Sequence, residues 1–453
     1  MRAARGRVRQ PWMVLAREYC PGYTGANMLQ LQDARIAVIG LGYVGLPLAV
    51  EFGRRYPTLG FDVNTARIRA LEAGEDATGE VDAAALGAAG QLRFSADPEA
   101  LKGCNVYIIA VPTPIDQNRQ PNLRPLVAAS ETVAGAIGPG DVVIYESTVY
   151  PGATEEDCIP VIERLTGMRL NTDFFAGYSP ERINPGDKAR PVTKIVKVTS
   201  GSTPEAADLV DALYRSIIPA GTHKASSIKV AEASKIIENT QRDVNIALIN
   251  ELSVIFSHLG IDTADVLDAA ATKWNFIRLA PGLVGGHCIG VDPYYLVHKS
   301  MAAGHVPDII RIAREINDGM ARDVAGRLVR AMVRRGIAVS GARVLILGVT
   351  FKENCPDIRN TKIVDLAAAL EGWGAVPVIA DPWADPAEVA AEYGRTLAPD
   401  PGAQAPYAAA ILAVPHAGTV AAGPAALRAL LEPGGVLFDM KSVFAPDDSD
   451  LRL

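Results

Sequence analysis

Cys288 stands in the run Gly285-Gly286-His287-Cys288-Ile289-Gly290, where glycines let the main chain approach a ligand with little bulk around the sulfur. A thiol so placed is suited to nucleophilic attack, provided a neighbour or dipole favours its thiolate. Far upstream, Gly40-Leu41-Gly42-Tyr43-Val44-Gly45 fits the GxGxxG pattern of a dinucleotide-binding loop. A nucleophile and a hydride acceptor in one chain predict an oxidation that passes through a covalent thioester.

Other residues could serve that chemistry. Asp292 lies four positions after Cys288 and directly precedes Pro293. It reads as an N-cap with Pro293 at the first helical position of a helix over 294–303, a placement compatible with proton handling. His287 adjoins the thiol, but neighbours in an extended loop point apart, so it is not assigned as the base. Lys235 and Asn239 are four apart and share one helix face. An ammonium and an amide there could stabilise the oxyanion of a tetrahedral adduct, although helix position alone equally describes a solvated polar stripe. Glu181, in Tyr178-Ser179-Pro180-Glu181-Arg182, is a candidate base for activating water.

Gly40 permits the tight turn of the dinucleotide loop, Gly42 the approach of a pyrophosphate, and Gly45 close helix–strand packing. Asp62, at the end of the next predicted strand, can accept hydrogen bonds from ribose hydroxyls and would repel a 2′-phosphate. That favours NAD over NADP, with Arg67 nearby pulling the other way.

These residues need elements to hold them. Residues 35–39 read as a strand, followed by a turn and an apolar-periodic helix over 43–55. Further buried strands are expected at 59–63, 106–111, 142–145 and 194–199, with helices between most of them, the pattern of a parallel sheet. A long helix spans about 226–259, too apolar for a simple surface helix, and is expected to pack in a subunit interface. A second covers about 308–335. Strands at 343–349, 376–380, 408–414 and 436–440, with a helix at 362–373, restart the α/β alternation. The fold class is α/β: two Rossmann-like doubly wound domains joined by a central helical region. The expected division is a disordered extension over 1–30, an NAD-binding domain over 31–222, a helical dimerisation and catalytic region over 223–335, and a second Rossmann-like domain over 336–453.

The chain has 453 residues, 49% hydrophobic and 21% charged, with a formal net charge of −7. This fits a globular protein of several domains and argues against nucleic acid or an anionic membrane surface as partner. The cysteines Cys20, Cys104, Cys158, Cys288 and Cys355 are scattered without a CxxC pair, which fits a reducing, cytoplasmic setting and no metal site. No apolar run is long enough for a membrane span. The first 27 residues are Arg-rich without an apolar core, and read as a disordered extension or as translation assigned too far upstream, with Met28 the true start.

Taken as an ordered set, these motifs resemble the UDP-glucose/GDP-mannose dehydrogenase family. The carrying stretches are Gly40–Gly45, Val111-Pro112-Thr113-Pro114, Glu146-Ser147-Thr148-Val149-Tyr150-Pro151-Gly152, Ser179-Pro180-Glu181-Arg182, Lys235 with Asn239, Gly285-Gly286-His287-Cys288 with Asp292, and Phe351-Lys352 with Asp357-Ile358-Arg359-Asn360-Thr361. The resemblance implies oxidation of the C6 hydroxyl of a nucleotide sugar to a carboxylate, with two NAD per turnover. It implies that Cys288 forms a thiohemiacetal and then a thioester, and that Lys235 and Asn239 polarise the oxygen at C6. Asp292 would handle protons or water with Lys235, and Glu181 would assist thioester hydrolysis. Thr148 would sit near the nicotinamide, with Tyr43, Val44, Pro112, Thr113 and Ser147 along the cofactor. Arg359 would lie on the cofactor side of the interdomain cleft. Lys352 would contact the diphosphate, and Phe351, Gly285 and Arg182 would complete the sugar-nucleotide site.

One position departs from the pattern. Several UDP-glucose enzymes carry a second glutamate four residues after that of Ser-Pro-Glu, where this chain has Pro185, which weakens a UDP-glucose assignment. Thr272-Lys273-Trp274-Asn275-Phe276 and the flanks of Cys288 are similar to a subgroup, the bacterial UDP-N-acetylglucosamine or UDP-N-acetylgalactosamine 6-dehydrogenases that supply uronic acids for surface polysaccharides. UDP-glucose, UDP-N-acetylmannosamine and GDP-mannose are the alternative substrates. A β-hydroxyacid-type dehydrogenase and a non-catalytic nucleotide-binding regulator are the competing functions. A homodimer or higher homo-oligomer is expected.

Overall fold

The computed structural model describes residues 28–116, 118–183, 189–286 and 289–453. The expectations for residues 1–27, Pro185, His287 and Cys288 lie outside the described residues.

Short apolar runs bounded by turns form two sheets. The first contains β1 (Ile36–Ile39), β2 (Thr58–Phe61), β3 (Leu92–Ser95), β4 (Val106–Ile109), β5 (Val142–Tyr145), β6 (Phe175–Tyr178), β7 (Lys197–Gly201) and β8 (Thr222–Lys224), in the order β3-β2-β1-β4-β5-β6-β7-β8. β1, β4 and β5 are buried along their whole length, as strands covered by helices on both faces must be. The second sheet contains β9 (Arg343–Leu347), β10 (Val376–Ala380), β11 (Tyr407–Leu412), β12 (Leu431–Asp439) and β13 (Leu451–Arg452), in the order β10-β9-β11-β12-β13, every pair parallel.

The first sheet corrects one expectation. Its strands are parallel from β3 to β6, but β7 pairs antiparallel with β6, with Tyr178 opposite Ser200. Ser200 donates its hydroxyl to the Tyr178 carbonyl at 2.8 Å and Ser179 donates to the Val198 carbonyl at 2.7 Å, which ties this reversed strand to the turn after β6.

The long helix Ile228–Leu259 joins the sheets. Ser227 caps its start, accepting from the Val230 N–H, and Gly260 ends it in the left-handed region at φ 70°. The helix Asp308–Arg334 packs beside it before the chain enters β9. Buried Asn250 fixes the connecting loop between them, giving its amide to the Gly282 carbonyl and Asn317 and taking the Gly282 N–H. No helix among the described residues is long and apolar enough to cross a membrane.

Candidate active site

The dinucleotide loop runs from the end of β1 into the helix Gly45–Gly53. Gly40 adopts φ 92°, and a Cβ there would lie 2.9 Å from the Ala110 carbonyl oxygen. A Cβ on Gly45 would lie 1.8 Å from the Gly40 carbonyl oxygen, so both glycines are required by packing. Gly42 differs: nothing lies within 4 Å of where its Cβ would be. That leaves an open cradle before the first helical turn, whose positive end favours an anion, although the Leu46 N–H already bonds the Gly42 carbonyl at 3.2 Å. These residues fit a dinucleotide pyrophosphate.

Asp62 stands at the edge of that cradle, accepting from the Leu41 N–H and the Asn64 N–H, each at 2.9 Å. Each carboxylate oxygen keeps lone-pair capacity for a ribose hydroxyl. Arg67 is committed to the loop itself, donating to the Leu41 carbonyl at 3.0 and 2.9 Å and pairing with Asp76 at 2.7 Å. Arg359 crosses from the second sheet's domain. Its guanidinium lies 4.5 Å from the centroid of the Tyr43 ring while pairing with Asp357.

Two loops at the carboxyl ends of β4 and β5 lie cross-tied. Thr113 donates to the Thr148 carbonyl at 2.7 Å, Ser147 donates to the Val111 carbonyl at 2.6 Å, and Pro112 lies between these anchors. Tyr295 donates to the Thr113 carbonyl at 2.9 Å, bringing the helix Asp292–Ala302 against them. Such carboxyl ends are where open α/β sheets bind ligands.

Asp292 is not an N-cap. Val291 occupies the cap position and Asp292 is the first helical residue, with no side-chain capping bond. Its carboxylate instead accepts from the Asn239 amide at 2.6 Å, beneath the long helix. Burial pushes Asp292 up to about 6, opposed by the Lys235 charge and the Asn239 hydrogen bond. Lys235, Asn239 and Asp292 therefore form one buried cluster.

The cluster opens into a cleft of about 590 Å³ between the long helix and the second sheet's domain. Among the described residues, Arg182, Arg190, Lys235, Arg242, Lys352 and Lys441 line it, with Glu238 the single carboxylate, which pairs with Arg182 at 2.7 Å. A cleft this basic in a chain of net charge −7 is built for an anion such as a diphosphate. Gly285 and Gly286 form one wall. A Cβ on Gly285 would lie 2.8 Å from the Asn360 carbonyl oxygen, and Gly286, at φ 84°, would press 3.2 Å against the Phe351 ring. The glycines upstream of Cys288 thus let the second sheet's domain sit directly on that loop.

Glu181 is buried and does not line the cleft. One oxygen accepts from the Arg182 N–H at 2.5 Å and from the Ile183 N–H, and the other lies 3.5 Å from the Lys197 ammonium. Sequence reasoning missed Lys197, Lys441 and Glu232. Lys441 approaches the cleft beside Gly282, whose Cβ would fall 2.5 Å from its Nζ, and burial lowers its pKa. Glu232, three residues before Lys235, accepts the Gly152 and Thr154 N–H groups at 2.5 and 2.9 Å and so binds the loop of Thr148 to the long helix. Its helical offset from Lys235 and Asn239 was the available signal.

Residues 34–218 match the NAD binding domain of the UDP-glucose/GDP-mannose dehydrogenase family, 229–319 its central domain and 345–446 its UDP binding domain. The chain is 58% identical over 423 residues to a UDP-N-acetyl-D-glucosamine 6-dehydrogenase of Pseudomonas aeruginosa, covering 93% of this chain and 100% of that protein. It is 53% identical over 426 residues to one of Salmonella typhi, covering 94% and 100%. Among solved structures, the UDP-D-ManNAc dehydrogenase of Pyrococcus horikoshii superposes with a TM-score of 0.83 at 30% identity, covering 92% of this chain and 98% of the other. The chain belongs to the UDP-glucose/GDP-mannose dehydrogenase family and is a nucleotide-sugar dehydrogenase with an NAD-binding domain.

Proposed function

We propose that the protein oxidises the C6 hydroxyl of a UDP-N-acetylhexosamine to the uronic acid, UDP-N-acetylglucosamine first and its C4 epimer second. The carrying observation is the buried Lys235–Asn239–Asp292 cluster opening into a basic cleft shared by the long helix and the Phe351–Lys352 loop. The 58% identical relative supports the choice of sugar.

NAD, when bound, accepts the hydrides, two equivalents per sugar. The protein's own groups do the rest. Lys235 and Asn239 donate to the C6 oxygen as negative charge develops there. Asp292 accepts the hydroxyl proton, and Cys288 attacks the C6 aldehyde to form a thiohemiacetal, later a thioester. Water activated by Glu181 releases the acid. Lys352 and Lys441 bind the diphosphate, and Asp62 reads the cofactor ribose.

The proposed assembly is a homodimer packed along the long helix, working in the cytoplasm to supply uronic acid for surface polysaccharide. The exposed Val230, Ile237, Leu248 and Ile255 on that helix support the dimer.

Comparing NADH yield on UDP-N-acetylglucosamine, UDP-N-acetylgalactosamine, UDP-glucose, UDP-N-acetylmannosamine and GDP-mannose tests this reading. The expected result is turnover on the first two at about two NADH per sugar. NADH from neither would overturn it.

A further inference from the structure

Lys197 on β7 is an almost fully buried cation, its side chain 3% exposed. Its ammonium donates to Glu146 at 2.5 Å and to the Pro180 carbonyl at 2.9 Å, and lies 3.5 Å from Glu181 Oε2. All three ammonium protons are thus directed at acceptors. Tyr214 donates to the second Glu146 oxygen. One cation therefore serves two carboxylates, Glu146 fully buried and Glu181 with its side chain 10% exposed. Burial pushes Glu146 up to about 7, and the neighbouring charge of Glu181 adds to that push.

Stability alone does not account for such a group, because apolar side chains commonly fill a site of this kind at no loss. What Lys197 touches is more informative. Two of its three contacts, the Pro180 carbonyl and the Glu181 carboxylate, belong to the turn that presents Glu181. The antiparallel pairing of β7 with β6 brings Lys197 beneath that turn.

We propose that Lys197 is a positioning residue for thioester hydrolysis, pinning the Pro180–Glu181 turn and holding the Glu181 carboxylate ready to take a proton from water. The inference rests on the reading of Glu181 as the water-activating base. In that step the water oxygen bonds to the acyl carbon while its proton passes to Glu181. The C–S bond then breaks with its electron pair on sulfur, and the proton on Glu181 returns to the thiolate. No oxidant is consumed.

Rapid mixing of the full-length protein with NAD and UDP-N-acetylglucosamine, or the panel sugar that the wild type oxidises, separates the steps. NADH absorbance reports the oxidations, and acid quench with intact-mass measurement reports acyl-enzyme. Lys197→Met is expected to give a burst of NADH and a trapped adduct beyond the wild type, then a steady state about tenfold slower or more. A purely structural loss would shrink the burst instead. Lys197→Met/Glu146→Gln removes the orphaned carboxylate and keeps the test alive should the single variant not fold; the same burst is expected. Glu181→Gln is the reference. If it shows burst and adduct while the folded Lys197 variant shows neither, the role of Lys197 is overturned. If Glu181→Gln itself shows neither, the base reading falls and takes this inference with it.

Discussion

Asp292 pays for its position: burial pushes it from 3.8 up to about 6, against the pull of Lys235 and Asn239. The native state then holds a proton more tightly than the unfolded chain. Ionised Asp292 therefore costs stability above about pH 6, and the cost vanishes as pH falls towards 4, a difference of about 3 kcal/mol by linkage. Asp292→Asn should raise thermal stability at pH 7 more than at pH 4.5, while lowering kcat about 100-fold. Wild-type kcat/KM should fall as pH drops through about 6, where Asp292 loses its capacity to accept a proton. An equal stability change at both pH values would show that burial is not what Asp292 suffers. Lys235 and Asn239 were legible because a four-residue offset fixes a shared helix face. The bond from Asn239 to Asp292 was not, because 53 residues separate the two and only the fold joins them. Lys197 was hidden for a related reason: inside the expected strand over 194–199 nothing local marks the carboxylates, Glu146 and Glu181, that reach it from elsewhere in the fold.

At the scale of elements, the interior strands of the first sheet were readable and its edges were not, whereas β10, an edge of the second sheet, has the bounds expected from sequence. β1, β4 and β5 are uniformly apolar, whereas β3 and β8 sit at the two edges of the sheet and expose polar residues. Strand direction was also invisible, because the alternation that identifies β7 is the same whichever way it runs. The glycine run before Cys288 was read as room for a ligand, and part of that room is taken by the second sheet's domain. Gly285→Ala puts a methyl group 2.8 Å from the Asn360 carbonyl, so the loop and the Phe351–Lys352 wall must separate. The expected outcome is a KM for the sugar nucleotide raised about tenfold or more with NAD affinity preserved, since the dinucleotide loop lies on the other sheet. Titration of both ligands distinguishes this from a general loss of structure, which would weaken NAD equally.

The whole molecule is organised around the two faces of the helix Ile228–Leu259. Glu232, Lys235, Asn239 and Asn250 lie buried on the side that faces the site and the neighbouring helices. On the opposite side, Val230, Ile237, Leu248 and Ile255 stand exposed in the single chain, and at about 100° per residue they fall within about 20° of one line. A stripe of this length and regularity on the helix that carries Asn239 has the form of an isologous interface, in which each copy supplies the same face. The exposed apolar face and the buried polar face are then two consequences of one helix, and pairing it would stiffen the element that holds Lys235 and Asn239. Leu248→Glu with Ile255→Glu should convert the assembly to monomer, read by light scattering, and lower kcat without changing the pH dependence set by Asp292. A wild type that is already monomeric, or a double variant that keeps its mass, would remove the long helix from the interface.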